Sequence, residues 1–285
     1  HIFRREHLHG SFFSGVMENI IMKKIWTLIQ KEWAEVFKNR FVFFTVAFLP
    51  LLLTALPLII LYVSRSSGDW GGAIAMSDLP PQFSDLCGDL DASGCMQYFI
   101  VTQFMLLFMM VPLIVPITFA SYSIVGEKST RTLEPLLATP ITTLELLIGK
   151  ALAASIPAVV ATWLSFFIYM IGARILAVDP GVLAKLFDPL WLSAIFVVGP
   201  LLALAAVSLA VMISSRVSDP RVAEQISAIF VLPIIGLFVG QSTGLIFINE
   251  RIILWMALSL LILDIGLFAF ALQLFQRESI LTRWK

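Results

Sequence analysis

Few side chains in this 285-residue chain could do chemistry, so each can be asked what it would do. Asp264 lies inside the apolar run LSLLILDIGLF, where a carboxylate is costly and by default a functional candidate. Protonated, it needs an acceptor such as Ser208 or Gln241; ionised, it needs a cation or water. Passage of an ion or substrate and a hydrogen bond that locks two helices both remain open for it. Gly126-Glu127-Lys128-Ser129 and Gly149-Lys150-Ala151 approach a phosphate-cradling loop, but such a loop needs Gly-x4-Gly-Lys-Ser/Thr, and both fail. Cys87 and Cys95 flank the turn-rich GDLDASG and can close a disulfide in an oxidising compartment, or stay as two free thiols. The three histidines, His1, His7 and His9, all lie near the N-terminus, which excludes histidine chemistry within a bilayer. An intramembrane aspartyl mechanism would need two carboxylates where one is present. No catalytic, cofactor-binding or metal-binding residue is assigned, and the chain is not expected to be an enzyme.

The elements that must position these residues follow from composition. AVILMFWYC make up 59% of the chain and DEKR only 13%, with a mean hydropathy of +0.94. A soluble domain carries about 25% charged residues, so half that share cannot clothe a water-facing surface. The chain reads as an all-α membrane protein. Uncharged stretches predict six helical spans near 41–64, 97–125, 151–173, 189–215, 225–249 and 252–276. The second span is expected as one helix kinked at Pro112 and Pro116. With 19 Lys and Arg against 19 Asp and Glu, strong attraction to nucleic acid is excluded. Fifteen of the 19 basic residues fall on one side of the six-span layout and four on the other. The positive-inside rule makes the first side cytoplasmic, with both termini there, in a multi-pass protein of the plasma membrane. The opposite loop at 64–96 carries five Asp and both cysteines, and reads as a solvated acidic loop.

Three stretches lie outside the spans. Met22-Lys23-Lys24 reads as a natural start, with residues 1–21 an N-terminal extension and 22–285 a single transmembrane domain. KKIWTLIQKEWAEVFKNR at 23–40 places Ile25, Trp26, Ile29, Trp33, Val36 and Phe37 on one helical face, which suits a cationic helix in the membrane interface or one packed on protein. Between spans two and three, Thr142-x-x-Glu145 forms a capping box for the third membrane helix, and about 129–138 can form two amphipathic turns. Those turns suit contact with a cytoplasmic partner or a simple surface turn. Asp219 and Pro220 are a helix N-cap and first position. Gly236, Gly240 and Gly244 form a small-residue stripe suited to close helix packing within the bundle or to a dimer or pathway-lining face, and GQSTG at 240–244 suggests that this span unwinds at its outer end.

The run GEKSTRTLEPLLATP from Gly126 to Pro140, followed by Glu145-Leu146-Leu147 and Gly149-Lys150, resembles the signature after the second span of type-2 ATP-binding-cassette exporter permeases, most of all the sodium-extrusion and drug-export branch. The resemblance covers about residues 22–285. It implies a permease subunit that dimerises and sits on two copies of a separate ATPase, with ATP and magnesium held by that partner and no cofactor in this chain. It further implies that 127–140 is a coupling helix seated in the ATPase, with Glu127, Lys128, Arg131, Glu134 and Glu145 as the coupling residues and the 23–40 helix as an added contact. The rival expectation is an ion-coupled carrier or channel that works through Asp264 without ATP.

Overall fold

A computed structural model describes residues 21–67, 87–88, 90, 92–129, 141–176, 181–182, 184 and 187–274. The described residues are mostly helical, with no strand among them, and six helical stretches are long and apolar enough to cross a membrane: Arg40–Val63, Gly94–Lys128, Thr143–Leu176, Pro189–Arg216, Pro220–Ser242 and Glu250–Leu274. Helices are the expected solution, because a backbone in hydrocarbon must satisfy its hydrogen bonds within its own segment. We number the helices α1 (21–36), α2 (Arg40–Ser67), α3 (Ala92–Phe108), α4 (Val111–Ser129), α5 (Thr143–Leu176), α6 (Pro189–Ser193), α7 (Gly199–Arg216), α8 (Pro220–Ser227), α9 (Leu232–Ser242) and α10 (Glu250–Leu274).

Proline chemistry shapes the spans. The second crossing is two helices rather than one kinked rod. α3 stops at Phe108, Met109 and Met110 make i−3 hydrogen bonds to Leu106 and Leu107, and α4 restarts with Pro112 in its first turn. Proline at 112 has no N–H to give the Phe108 carbonyl, so the ladder opens there. In the fourth crossing a π-helical turn, Ala194–Val198, sits just ahead of Pro200 and joins α6 to α7. In the fifth, a 3-10 turn at Ala228–Val231 leads into α9, with Pro233 in its first turn.

Caps set the helix starts. The Thr142 N–H donates to Glu145 Oε2 at 2.7 Å while the Glu145 N–H donates to Thr142 Oγ1 at 3.2 Å, the reciprocal capping box read from the sequence. α5 therefore starts at Thr143, eight residues before the apolar stretch begins, and carries Glu145 and Lys150 within its first turns. Asp219 accepts from the Arg221 N–H at 2.8 Å with Pro220 following, and Asp188 caps α6 in the same way. α9 ends sooner than the expected 249. Gly244 takes φ 74°, the Leu245 N–H returns to the Gly240 carbonyl at 2.8 Å, and the Gly244 N–H returns to Gln241 at 3.1 Å. This is a Schellman stop, and it explains the unwinding at GQSTG. Among the described residues no helix-on-helix contact is seen at Gly236 or Gly240: a Cβ at Gly236 would meet nothing within 4 Å, and the atoms nearest one at Gly240 belong to Ile246 of the returning chain.

The second and fourth crossings form the centre, with 78% and 67% of their most apolar windows buried, whereas the sixth buries 11% and turns most of its surface outward. Phe108, Tyr169, Phe119 and Ile195 lie in that centre. α1 packs on it as well. Ile25, Leu28, Ile29 and Val36 are buried, and the Trp33 indole N–H donates to the Ala153 carbonyl of α5 at 2.8 Å. Gly149 makes this approach possible, since a Cβ there would come within 2.5 Å of the Leu28 side chain. Gly149→Val should therefore lever α1 off α5 and cost about 1–3 kcal/mol, read as a lower unfolding midpoint in detergent together with faster proteolysis of residues 21–36. An unchanged midpoint would show that α1 does not depend on this contact.

Candidate functional site

At the end of the bundle where α1, the close of α4 and the start of α5 meet, the helices bring together charges that are far apart in sequence. We call this the charged end. Glu32 stands on the buried face of α1, between Ile29 and Val36, and is 1% exposed; Glu127 of α4 is 3% exposed and Lys150 of α5 is 4% exposed. The Lys150 ammonium lies 2.7 Å from Glu32 Oε1 and 2.7 Å from Glu127 Oε2, and donates to Ser123 Oγ at 3.1 Å. The Ser123 hydroxyl in turn donates to the other oxygen of Glu32. Lys31 closes the group from the rim. It pairs with Glu127, with Glu35 at 3.1 Å and, more loosely, with Glu32 at 3.6 Å.

The balance of forces on Glu32 is legible in its acidity. Burial pushes the carboxyl up, but the Lys150 charge, hydrogen bonds from Lys150 and Ser123, and the Lys31 charge outweigh it and hold the group at about 2 against an ordinary 4.5. Lys31 is driven the opposite way: burial lowers its affinity for a proton, yet the hydrogen bond and charge of Glu127, with Glu32 and Glu35 behind, raise it above the usual 10.5. Both shifts show that the folded state holds these groups ionised. The arrangement does no covalent chemistry. It fastens α1, α4 and α5 to one another by charge, in a place where each partner would be costly alone.

Several of the residues singled out from the sequence are built into this end. Glu127 is turned into the cluster. Lys128 reaches the carbonyls of Ser215 and Val217 at 3.4 and 3.3 Å, adding a cation to the closing turn of α7. Glu145 joins its capping role to an ion pair with Lys24 of α1 at 3.7 Å. Farther up α4, the Thr118 hydroxyl donates to Glu224 of α8. Arg131, Glu134 and most of the expected 127–140 helix lie outside the described residues, as do residues 1–20 of the expected extension.

At the opposite end Cys87 and Cys95 form a disulfide with a Cα–Cα distance of 5.2 Å. Asp264 is separate from both ends. It lines an apolar groove between α5, α7 and α10, and neither Ser208, which lines the same groove, nor Gln241 bonds it. Sequence reasoning missed Glu32, Ser123 and Lys150. The signal available was Glu32 itself, a charge at a position of the 25–29–32–36 helical repeat where an apolar residue is expected.

Removing one charge should hurt more than removing a matched pair. Lys150→Met leaves Glu32 and Glu127 facing each other with Lys31 alone, and should cost about 3–5 kcal/mol; adding Glu32→Gln to that variant should restore part of the loss, read by unfolding in detergent. A depressed carboxyl stabilises the fold fully above its unfolded value and loses that contribution as pH falls through its folded value. The wild-type unfolding midpoint should therefore drop between about pH 4.5 and 2, and Glu32→Gln should flatten that drop.

No curated protein matches the chain. A family model described as ABC-2 family transporter protein matches residues 26–250, which takes in α1, the charged end and all but the sixth crossing. With six apolar crossings around a packed centre and most of its length inside that match, the chain belongs to the ABC-2 transporter family, as a multi-pass membrane permease.

Proposed function

We propose that the chain is the membrane subunit of an exporter of the ATP-binding-cassette class, driven by ATP that a separate cytoplasmic subunit hydrolyses. Two copies of the permease pair with two copies of that ATPase, the charged end faces the cytoplasm, and the disulfide faces the outside. One observation carries the reading. The ion cluster of Glu32, Glu127, Lys150 and Lys31 clamps together the helices that flank 130–140, so a push on that segment is received by α1, α4 and α5 as one block. Glu127 then serves by holding the block, Glu145 by starting α5, and Lys128 by tying the block to α7. Arg131 and Glu134 are the groups that meet the ATPase. The near-miss glycine motifs agree with a partner supplying the phosphate chemistry.

Ion coupling through Asp264 without ATP is the alternative, and the lack of a hydrogen-bond partner for that carboxylate among the described residues favours keeping it. Transport of an ion by the purified chain alone in liposomes would support it and count against the exporter.

Two measurements test the main reading. With the ATPase co-purified, Arg131→Glu and Glu134→Arg should each cut permease-stimulated ATP hydrolysis at least tenfold, about 1.4 kcal/mol of coupling, while insertion and monodispersity persist; full coupling in both variants would overturn it. For orientation, reduction of intact cells should make Cys87 and Cys95 react with a membrane-impermeant maleimide. Labelling that appears only after lysis would reverse the assigned sidedness.

A further inference from the structure

The groove beside Asp264 has no use in the clamp at the charged end, and its chemistry is specific. It is open-sided, about 440 Å³, and lined by Ile148 and Leu152 of α5, Leu204 and Ser208 of α7, and Asp264 and Phe268 of α10, among others. That volume falls within the range of small-molecule sites. Both carboxylate oxygens of Asp264 are shut off from solvent, and among the described residues neither accepts a hydrogen bond. An ionised carboxylate in such a place needs a positive partner.

A small metal cation does not suit the surroundings. Sodium- or calcium-like ions take about six or more oxygen ligands, and the side chains lining the groove offer the Asp264 carboxylate and the Ser208 hydroxyl. A cation that carries its own apolar body needs no oxygen shell. Its charge answers the carboxylate, its body replaces water along Ile148, Leu152 and Leu204, and the Phe268 ring adds a face that attracts cations.

We infer that the groove between α5, α7 and α10 is a binding site for a lipophilic monovalent cation, held at Asp264 by charge and elsewhere by apolar contact. At 1.5 Å per residue Asp264 lies about 15 Å from the end of α10 at Leu274, in the half of the bundle toward the charged end. As a site of transport this deepens the exporter reading and rests on it; as a site of binding it stands on the chain alone.

The test uses radiolabelled tetraphenylphosphonium with the full chain in nanodiscs, after subtraction of empty discs. The wild type should bind it saturably, unlabelled tetraphenylphosphonium should displace it, and neutral triphenylphosphine at equal concentration should not. Asp264→Asn should weaken binding at least tenfold, and Asp264→Glu should keep most of it. Ala151→Phe, which fills the groove and spares the carboxylate, should abolish binding, with each variant's fold checked by gel filtration and unfolding midpoint. Equal binding by wild type and Asp264→Asn, equal displacement by the neutral analogue, or no binding to the wild type, as when a side chain of a second copy fills the groove, would each overturn the assignment. Carboxylate-dependent binding without any effect of the cation on the ATPase would leave the site standing and sink the exporter reading instead.

Discussion

Everything at the charged end depends on one ammonium group. Lys150 stands between two carboxylates that come from different helices and, among the described residues, is the buried cation of the cluster; Lys31 works from its partly exposed rim. A buried ion pair is a poor source of net stability, since desolvation offsets most of the attraction. Its value lies in specificity. Apolar side chains would let α1 settle against α4 and α5 in several registers, whereas Glu32, Glu127 and Lys150 satisfy one another in only one.

That constraint explains why α1 behaves as part of the bundle and not as a detached appendage. Ile25, Ile29 and Val36 are buried in the same core as the spans, Leu28 enters the gap left by Gly149, and Trp33 is fixed on the α5 backbone. Lys24 reaches Glu145, and the Thr142 box fixes where α5 begins. For a member of a transporter family this matters because rigid elements, not loops, carry displacement across a protein. The helices on either side of 130–140 are joined before any partner arrives.

Much of the fold was legible in the chain because its signals are local. Uncharged length predicted six crossings, and the boxes at Thr142–Glu145 and Asp219–Pro220 marked two helix starts from residue type and spacing alone. The uncharged stretch alone fell short of the third helix, whose start the capping box had marked: α5 runs from Thr143 through Glu145 and Lys150, because an ion neutralised by its neighbours needs no exit from the helix. The cluster itself was beyond a linear reading. Glu32, Glu127 and Lys150 are spread over about 120 residues, and only the packing of three helices brings them together. The third glycine of the stripe falls outside the helix, which ends at Ser242, so Gly244 serves the turn instead.

The interrupted second crossing divides the bundle's central rod between two sets of neighbours. α3 lies against α2 and α9 near the disulfide, while α4 is held by α5, α7 and α8 beside the clamp and shares α2 with α3. The regular i−4 ladder is interrupted between Phe108 and Pro112, where Met109 and Met110 close i−3 bonds instead. A knuckle thus interrupts the bundle's most buried element midway, between a segment near the disulfide and a base fastened at the clamp.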